Sequence, residues 1–567
     1  MALLAPRKNW KIKPADIRLQ RTLSRDMNIS LLMAQLLLNR NVKDATEASQ
    51  FLSCSLSHLF DPLMMQDMSK AITRVKRALQ KKEKILIFGD YDVDGVTSIA
   101  ILQRVLEQMG ADVCHHIPHR VHDGYGLNNM VARIARQKGA SLFISVDCGI
   151  TAIHEVDLLT KAGIDVIVID HHEPSANGLP SALAVIDPKR KDDRYPFKEL
   201  AAVGLVYKFI QALTGSLNED LLDFVALGTV ADVVPLISEN RILVKYGLER
   251  IKNTKSVGLA ALMEAAKLKP TSISPQAIGF ILGPRLNATG RIDSARKSLE
   301  LLLCNNELQA AQMAQNLNSL NNDRQKLQRQ IIQEAVGIVD KEVNFKNDKV
   351  IVVSKDGWHK GVLGIVASRV CEMYSRPAVV ISLENGVGSA SARSISGFHL
   401  SEALNHCAAL LEEFGGHKLA AGLTIRAENI MTFRRHINDF AKDILKVKDL
   451  VPVIDVDCEV PLSVLNQNLF KMTESLQPFG EGNPVPLFCT RQLKIKARPV
   501  RRAKETLKLW LTDGTMTISA VGFGMAACAD YLAPGHEVDV VYQLSLDTWG
   551  KAPTLQLKLK DIKTSTV

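Results

Sequence analysis

Short, dense apolar runs recur in the first third of the chain: KILIF at 84–88, SLFISV at 141–146 and VIVI at 166–169, each set between segments of helical spacing. Strands that are apolar on both faces and separated by helices predict a parallel sheet covered on both sides. A second pair of runs, VIVVS and then AVVISL, predicts another α/β domain within 348–450. Between them, from Ser294 to about residue 343, the text is almost uninterruptedly helical. Met313, Leu317, Leu320, Leu327 and Ile331 recur at four-three spacing there, interrupted by Arg324. One face of a long connector helix is therefore expected to pack while the rest stays wet. After Val451 period-two alternation takes over. Leu507, Leu509 and Leu511 alternate with Lys508 and Trp510, Asp513-Gly514 marks a hairpin, and two alternating runs follow at 537–546 and 554–560, predicting a small β-barrel. The first residues are basic, from Arg7 to Arg25, and run into the helix-like ISLLMAQLLL. The expected division is a helical arm at 1–70, an α/β domain at 71–240, a helical region with the connector helix at 241–345, a second α/β domain at 346–450 and the β-rich part at 451–567.

Composition adds three constraints. The chain has 567 residues, 46% hydrophobic and 23% charged, which fits several ordinary folded domains and excludes a disordered or collagen-like chain. Lys and Arg exceed Asp and Glu by 70 to 60, a net charge of +10 that favours a polyanionic partner without proving one. The nine cysteines are scattered with no CxxC pair, so neither a disulfide framework nor a zinc ribbon is expected. The opening MALLAPRKNW lacks an apolar core of signal-peptide length, and no stretch approaches the roughly 20 apolar residues of a spanning helix. A cytoplasmic protein with no membrane partner is expected.

The chemistry lies where the apolar runs end. The first empties into Asp90-Tyr91-Asp92-Val93-Asp94-Gly95, three carboxylates in one turn at the carboxyl end of a strand, where open α/β sheets place their ligand crevices. Like charges this close raise each other's pKa unless a cation sits among them. The spacing also matches half of an EF-hand, but the twelfth loop position is Ile101 rather than Glu, and a strand rather than a helix leads in. The next two runs end in Asp147-Cys148-Gly149 and Asp170-His171-His172-Glu173, and Asp232 stands alone in the apolar stretch ALGTVADVVPL. Carboxylates and imidazoles without thiolates suit Mn2+ or Mg2+. Four or more carboxylates can hold two such ions about 3.5–4 Å apart, the arrangement of two-metal phosphoester hydrolysis.

DYDVDG, the VDCG strand end, DHH and the later GGH resemble the DHH phosphoesterase superfamily. With IPHRVHDGYGL, GPRLNATGR, WHKGVLGIVASR, SARS and FGGHKLAAG, the chain is similar to its single-strand-specific DNA exonucleases, in order from about residue 60 to the end. The resemblance implies a DHH catalytic domain, a DHHA1-type second domain and a C-terminal OB-like barrel. It implies 5′→3′ hydrolysis of single-stranded DNA to mononucleotides, in DNA repair and recombination, with two Mn2+ or Mg2+ ions as cofactors. Single-strand-binding protein and a helicase are the implied protein partners. Asp92, Asp94, Asp147, His171 and Asp232 fall on the metal-ligand positions, Asp147 as the bridge, with Asp90 beside them as a ligand or a ligand's partner. His172 would face the scissile phosphate. Arg120, Ser391 and Arg393 match a grip on the terminal 5′-phosphate, and His417 would line the cleft from the second lobe. Arg285, Asn287 and Arg291 match backbone-phosphate contacts, and Trp358 either stacks on a base or fills a core. Eight basic residues between Arg491 and Lys508, Lys504 among them and opposed only by Glu505, adjoin Trp510 and fit a single-strand groove. The alternatives are a related phosphoesterase acting on short oligonucleotides, cyclic dinucleotides or polyphosphate, and a non-catalytic replication scaffold.

Overall fold

The computed structural model describes residues 8–120, 124, 126–503, 505–548 and 552–564. Arg7, Lys504 and part of the IPHRVHDGYGL stretch (121–123 and 125) lie outside the described residues. The chain forms two compact units, one of residues 60–234 and 243–451, the other of residues 1–59, 235–242 and 452–567.

In the larger unit the three apolar runs become the strands Ile85–Gly89, Leu142–Val146 and Asp165–Ile169. Two short strands flank them, Val113–His116 outside the first and Ala184–Ile186 outside the third, and all five run parallel. Almost every side chain of the three central strands is buried, as expected for a sheet covered on both faces. Each buried aliphatic or phenyl group there is worth about 1.5–3 kcal/mol of transfer free energy.

Register is the feature that matters most for function. Gly89 pairs with Val146, Val146 with Ile169, and Ile169 with Ile186. The next residue on each strand is therefore level with its neighbours, and those residues are Asp90, Asp147, Asp170 and Asp187.

The helical region holds Ser238–Lys252, Val257–Ala265 and Gly283–Ile292, and from Ser294 on it resolves into Arg296–Leu303 and a 36-residue helix, Glu307–Glu342, whose N-terminus is capped by Asn306. Its buried seam runs through Ala310, Ala314, Leu317, Asn321, Arg324, Ile331, Ala335 and Val339. Ala314 and Asn321 thus replace the expected Met313 and Leu320, Leu327 is half-buried, and Arg324 is inside the seam rather than an interruption of it. The second lobe is a five-stranded mixed sheet in the order Leu411–Gly416, Ala420–Arg426, Val387–Arg393, Ala378–Glu384 and Ile351–Asp356, the last pair parallel.

In the smaller unit, strands Phe488–Ile495, Glu537–Asp547, Thr554–Thr564, Thr517–Phe523 and Thr506–Thr512 pair in that order. The first also pairs with the last through Lys494 and Ile495, closing the five into a ring, the OB barrel. The first strand of the chain, Asn9–Ile12, pairs in parallel with Val453–Val456. Leu23, Met33, Leu36 and Leu37 share one apolar core with Leu507, Leu509, Leu511 and Tyr542. Among the described residues no helix is long and apolar enough to cross a membrane.

Candidate metal centre and substrate cleft

The turn after Ile85–Gly89 is tightly built. Asp92 caps the helix Val93–Gln108, its carboxylate accepting from the N–H groups of Asp94 (2.9 Å) and Gly95 (3.2 Å). A Cβ at Gly95 would lie 2.4 Å from the Asp90 carbonyl oxygen, so the turn requires glycine there. Asp94 is buried, and its two oxygens accept from the N–H groups of Ala202 and Val203, each at 2.8 Å, at the start of the helix Ala202–Thr214. A helix N-terminus is a favourable place for that charge.

Side chains from separate segments converge on this turn. One ligand atom each from Asp90, Asp92 and Asp147 lies within 4.8 Å of the others, and the same holds for Asp94, His171 and Asp232. The Nε2 of His171 is 3.3 Å from the Asp147 carboxylate, 3.7 Å from that of Asp232 and 4.0 Å from that of Asp94. Burial, reinforced by neighbouring Asp92, raises the Asp94 carboxyl to about 7. Burial first, then the Asp92 charge, holds Asp90 and Asp147 well above the usual carboxylate range, and burial followed by Asp94 does the same for Asp232. Burial and the charge of His172 pull His171 down to about 3, so its imidazole is neutral and has a lone pair to offer.

The donor set fits hard divalent cations. The Asp90 Oδ1 and His171 Nε2 atoms are buried with no hydrogen-bond partner, and the clustered carboxylates repel each other. A cation satisfies both demands, and oxygen-rich ligands with one imidazole are what Mn2+ and Mg2+ accept.

Behind this cluster, Asp170 accepts from the N–H groups of His171 (2.8 Å), His172 (3.2 Å) and Ile150 (2.9 Å) and from His172 Nδ1 (2.7 Å). Burial opposes its ionisation, but the His172 hydrogen bond and charge outweigh it and bring Asp170 to about 2. Conversely, burial disfavours the His172 charge, yet the Asp170 bond lifts that imidazole to about 9. His172 is thus an imidazolium at neutral pH beside a neutral His171.

A cavity of about 530 Å3 opens between strands of the second lobe and Arg120, lined also by Lys360, Gly364, Ser391, Arg393 and Gly416. Arg393 donates to Ser391 Oγ (3.1 Å) and to the Ala392 carbonyl (2.8 Å), and Arg120 stacks over the Tyr91 ring at 4.9 Å. A Cβ at Gly364 would lie 2.9 Å from the Arg393 guanidinium, so glycine makes room for it. Arg291 donates to the Gly361 carbonyl at 3.3 Å, and Arg285 to Asn318 at 3.1 Å. Burial, then like charges on Arg120 and Arg324, brings Arg291 down to about 10.

One expected contact falls elsewhere. Trp358 is 4% exposed in the core of the second lobe, its indole N–H donating to Glu334 at 2.7 Å, so its ring has no face open to a base. His417 is exposed on the turn after Leu411–Gly416, directly after Gly416 of the cavity lining. In the smaller unit Trp510 is half-buried on its strand, with Lys508 Nζ 5.7 Å from the ring centre. Sequence reasoning missed Asp187, Lys360 and the positioning work of Asp170. Asp187 follows a three-residue strand, too short a run to read, although it repeats the strand-end aspartate already seen three times.

Comparison with known proteins gives matches along the chain: the DHH family N-terminal domain over residues 84–229, the DHHA1 domain over 347–443 and the RecJ OB domain over 456–561. The single-stranded-DNA-specific exonuclease RecJ of Bacillus subtilis is 36% identical over 566 residues, covering 99% of this chain and 72% of the relative. That of Dickeya dadantii is 33% identical, covering 94% and 96%. The crystal structure of RecJ from Thermus thermophilus in complex with Mn2+ superposes with a TM-score of 0.85 at 28% identity, covering 99% of this chain and 80% of that one. A Mg2+ complex of the same protein matches with a TM-score of 0.79 at 26% identity, covering 99% and 79%.

Proposed function

The chain belongs to the RecJ family of single-stranded-DNA-specific exonucleases, and from that premise we infer that it hydrolyses single-stranded DNA at a two-cation centre, from the 5′ end to mononucleotides. The observation that carries this reading is the sheet register that levels Asp90 with Asp147 beside His171, Asp92, Asp94 and Asp232. Asp92, Asp94, His171 and Asp232 would hold the ions, Asp147 would be shared between them, and Asp90 would stand beside as a ligand or a ligand's partner. When bound, Mn2+ or Mg2+ supplies a Lewis-acidic centre that activates water and offsets charge on phosphate oxygens.

The protein's own groups do the rest. Asp170 keeps His172 protonated, and His172 donates to a non-bridging oxygen of the scissile phosphate, where negative charge grows. Arg120, Ser391 and Arg393 bind the terminal 5′-phosphate in their cavity, with Arg393 offering a planar fork. Arg285 and Arg291 neutralise phosphates further along the strand, and the OB barrel tracks it with its basic residues and Trp510. The work divides as 71–240 for chemistry, 241–345 as connector, 346–450 for the 5′ end and 451–567 for strand binding, with 1–70 as the N-terminal arm. A single-strand exonuclease needs an unwound strand with a free end, which supports a cytoplasmic role in DNA repair and recombination beside a helicase and single-strand-binding protein.

The direct test follows end-labelled single strand, duplex and RNA with and without Mn2+. Cation-dependent release of the 5′-terminal nucleotide from single-stranded DNA, with duplex and RNA spared, is expected. Release beginning at the 3′ end, or faster turnover of dinucleotides than of long strands, contradicts it.

Two variants test the assigned roles. Arg393→Ala is expected to remove most of the wild-type preference for a 5′-phosphorylated end, measured as the ratio of rates on phosphorylated and dephosphorylated strand. An unchanged ratio counts against the grip. Asp170→Asn is expected to lower kcat about 10–100-fold, the usual cost of losing the partner that orients a functional histidine, with KM little altered. A wild-type kcat removes Asp170 from the mechanism.

A further inference from the structure

The connector helix has a polar stripe where an apolar seam is expected. Asn318, Asn321, Arg324 and Gln328 recur at three- and four-residue intervals on the helix Glu307–Glu342, so they share a face. Asn321 is 1% and Arg324 8% exposed. Arg324 donates to Asn321 Oδ1 and Gln328 Oε1, each at 2.7 Å, and both acceptors are neutral groups of its own helix. Two donors on this stripe, Arg324 Nε and Asn321 Nδ2, are buried and meet no acceptor.

The neighbours deepen the deficit. Arg285 bonds to Asn318 on the same stripe, and its remaining contact is the Ile281 carbonyl at 2.7 Å. Arg324 feels the positive charge of Arg285, and Arg291 feels that of Arg324. The carboxylate acting on Arg291 is Asp92, which is already committed to the cation cluster. Buried guanidinium groups are normally paired, because desolvating an unpaired charge costs several kcal/mol. Here a buried Arg324 and the half-buried Arg285 and Arg291 act on one another, with surplus donors and neutral acceptors, which is the donor pattern of an anion site. Neither Arg324 nor Asn321 lines the cavity of Arg120 and Arg393.

We propose that Arg324 and Asn321, together with Arg285 and Arg291, form a second phosphate site, which takes an internal phosphodiester of the bound DNA strand. This rests on the exonuclease reading above. Arg324 is a substrate-binding residue carried by the connector helix, and the strand supplies the counter-charge that the folded protein lacks.

The test compares Arg324→Met, of similar length without charge, and Arg324→Lys with the parent, all carrying Asp147→Ala so that the strand survives. Binding of a 5′-phosphorylated single strand is measured across a salt series, together with Tm. Arg324→Met is expected to weaken binding about five- to tenfold and to lower the salt slope by about 0.7, the value of one phosphate on a single strand. Its Tm changes little, because relieved repulsion offsets the two hydrogen bonds to Asn321 and Gln328 that are lost. Arg324→Lys recovers most of the slope. An unchanged slope overturns the proposal, as does a Tm lowered by several degrees in step with the affinity, which would make Arg324 structural. Wild-type protein inert on single strands takes down the exonuclease reading and this inference with it. Active wild type with indifferent Arg324 variants sinks this inference alone.

Discussion

Asp147→Ala is expected to abolish hydrolysis while leaving single-strand binding within a few-fold of wild type. Asp147 stands between the two groups of ligand atoms, within reach of Asp90 and Asp92 on one side and of His171 on the other. On the proposed assignment, removing it would take a shared carboxylate from both cation positions at once. The loss should therefore exceed the 10–100-fold typical of ligand partners and be on the order of 10³-fold. The arginines and the barrel are untouched, so strand affinity should hold. Single-turnover cleavage and equilibrium binding separate the two effects, and near-normal cleavage refutes the assignment of the bridge.

Stripping the cations is expected to make the fold less stable as pH rises above 6.5. A group whose folded pKa is raised favours the fold while protonated, and that advantage disappears as pH climbs through the raised value. Asp94, at about 7 against an ordinary 3.8, behaves this way, and so do Asp90, Asp147 and Asp232, all raised well above theirs. His172, lifted from 6.5 to about 9, contributes a loss of the same sign between those values. His171, depressed from 6.5 to about 3, acts oppositely, but its contribution fades within about one pH unit above 6.5. Asp170, at about 2, has likewise finished titrating. The slope is about 1.4 kcal/mol per pH unit for each proton the folded state still holds and the unfolded chain has released. The Tm difference between Mn2+ and EDTA samples should therefore widen from pH 6.5 to 8.5. A constant difference shows that the carboxylates are not mutually strained.

Much of this site was legible before any coordinates. Asp92, Asp94, Asp147 and His171 stood out because apolar strands that end in acids form a local pattern, whereas Asp232, a lone acid at the end of a helix, took its weight from that company and from the ordered motifs that fixed the family. What escaped depends on long-range placement. Asp187 ends an edge strand of three residues, and nothing in AVID distinguishes it from a loop. Trp358 precedes a histidine as a base-stacking residue would, yet its neighbours in space, Glu334 and the lobe core, are set by the connector helix. Arg324 reads as a break in an apolar face, and only its burial beside Asn321 shows the face to be polar by design of the packing.

The parallel pairing of Asn9–Ile12 with Val453–Val456, and the core shared by Leu23 and Leu37 with Leu509 and Leu511, bear on how the protein is made. About 390 residues separate the two halves of that unit, which at 5–20 residues per second means roughly 20–80 s on the ribosome. During that interval the emerging first helices carry uncovered leucines, a stretch suited to a chaperone, and the nuclease lobes can fold before their companion is complete.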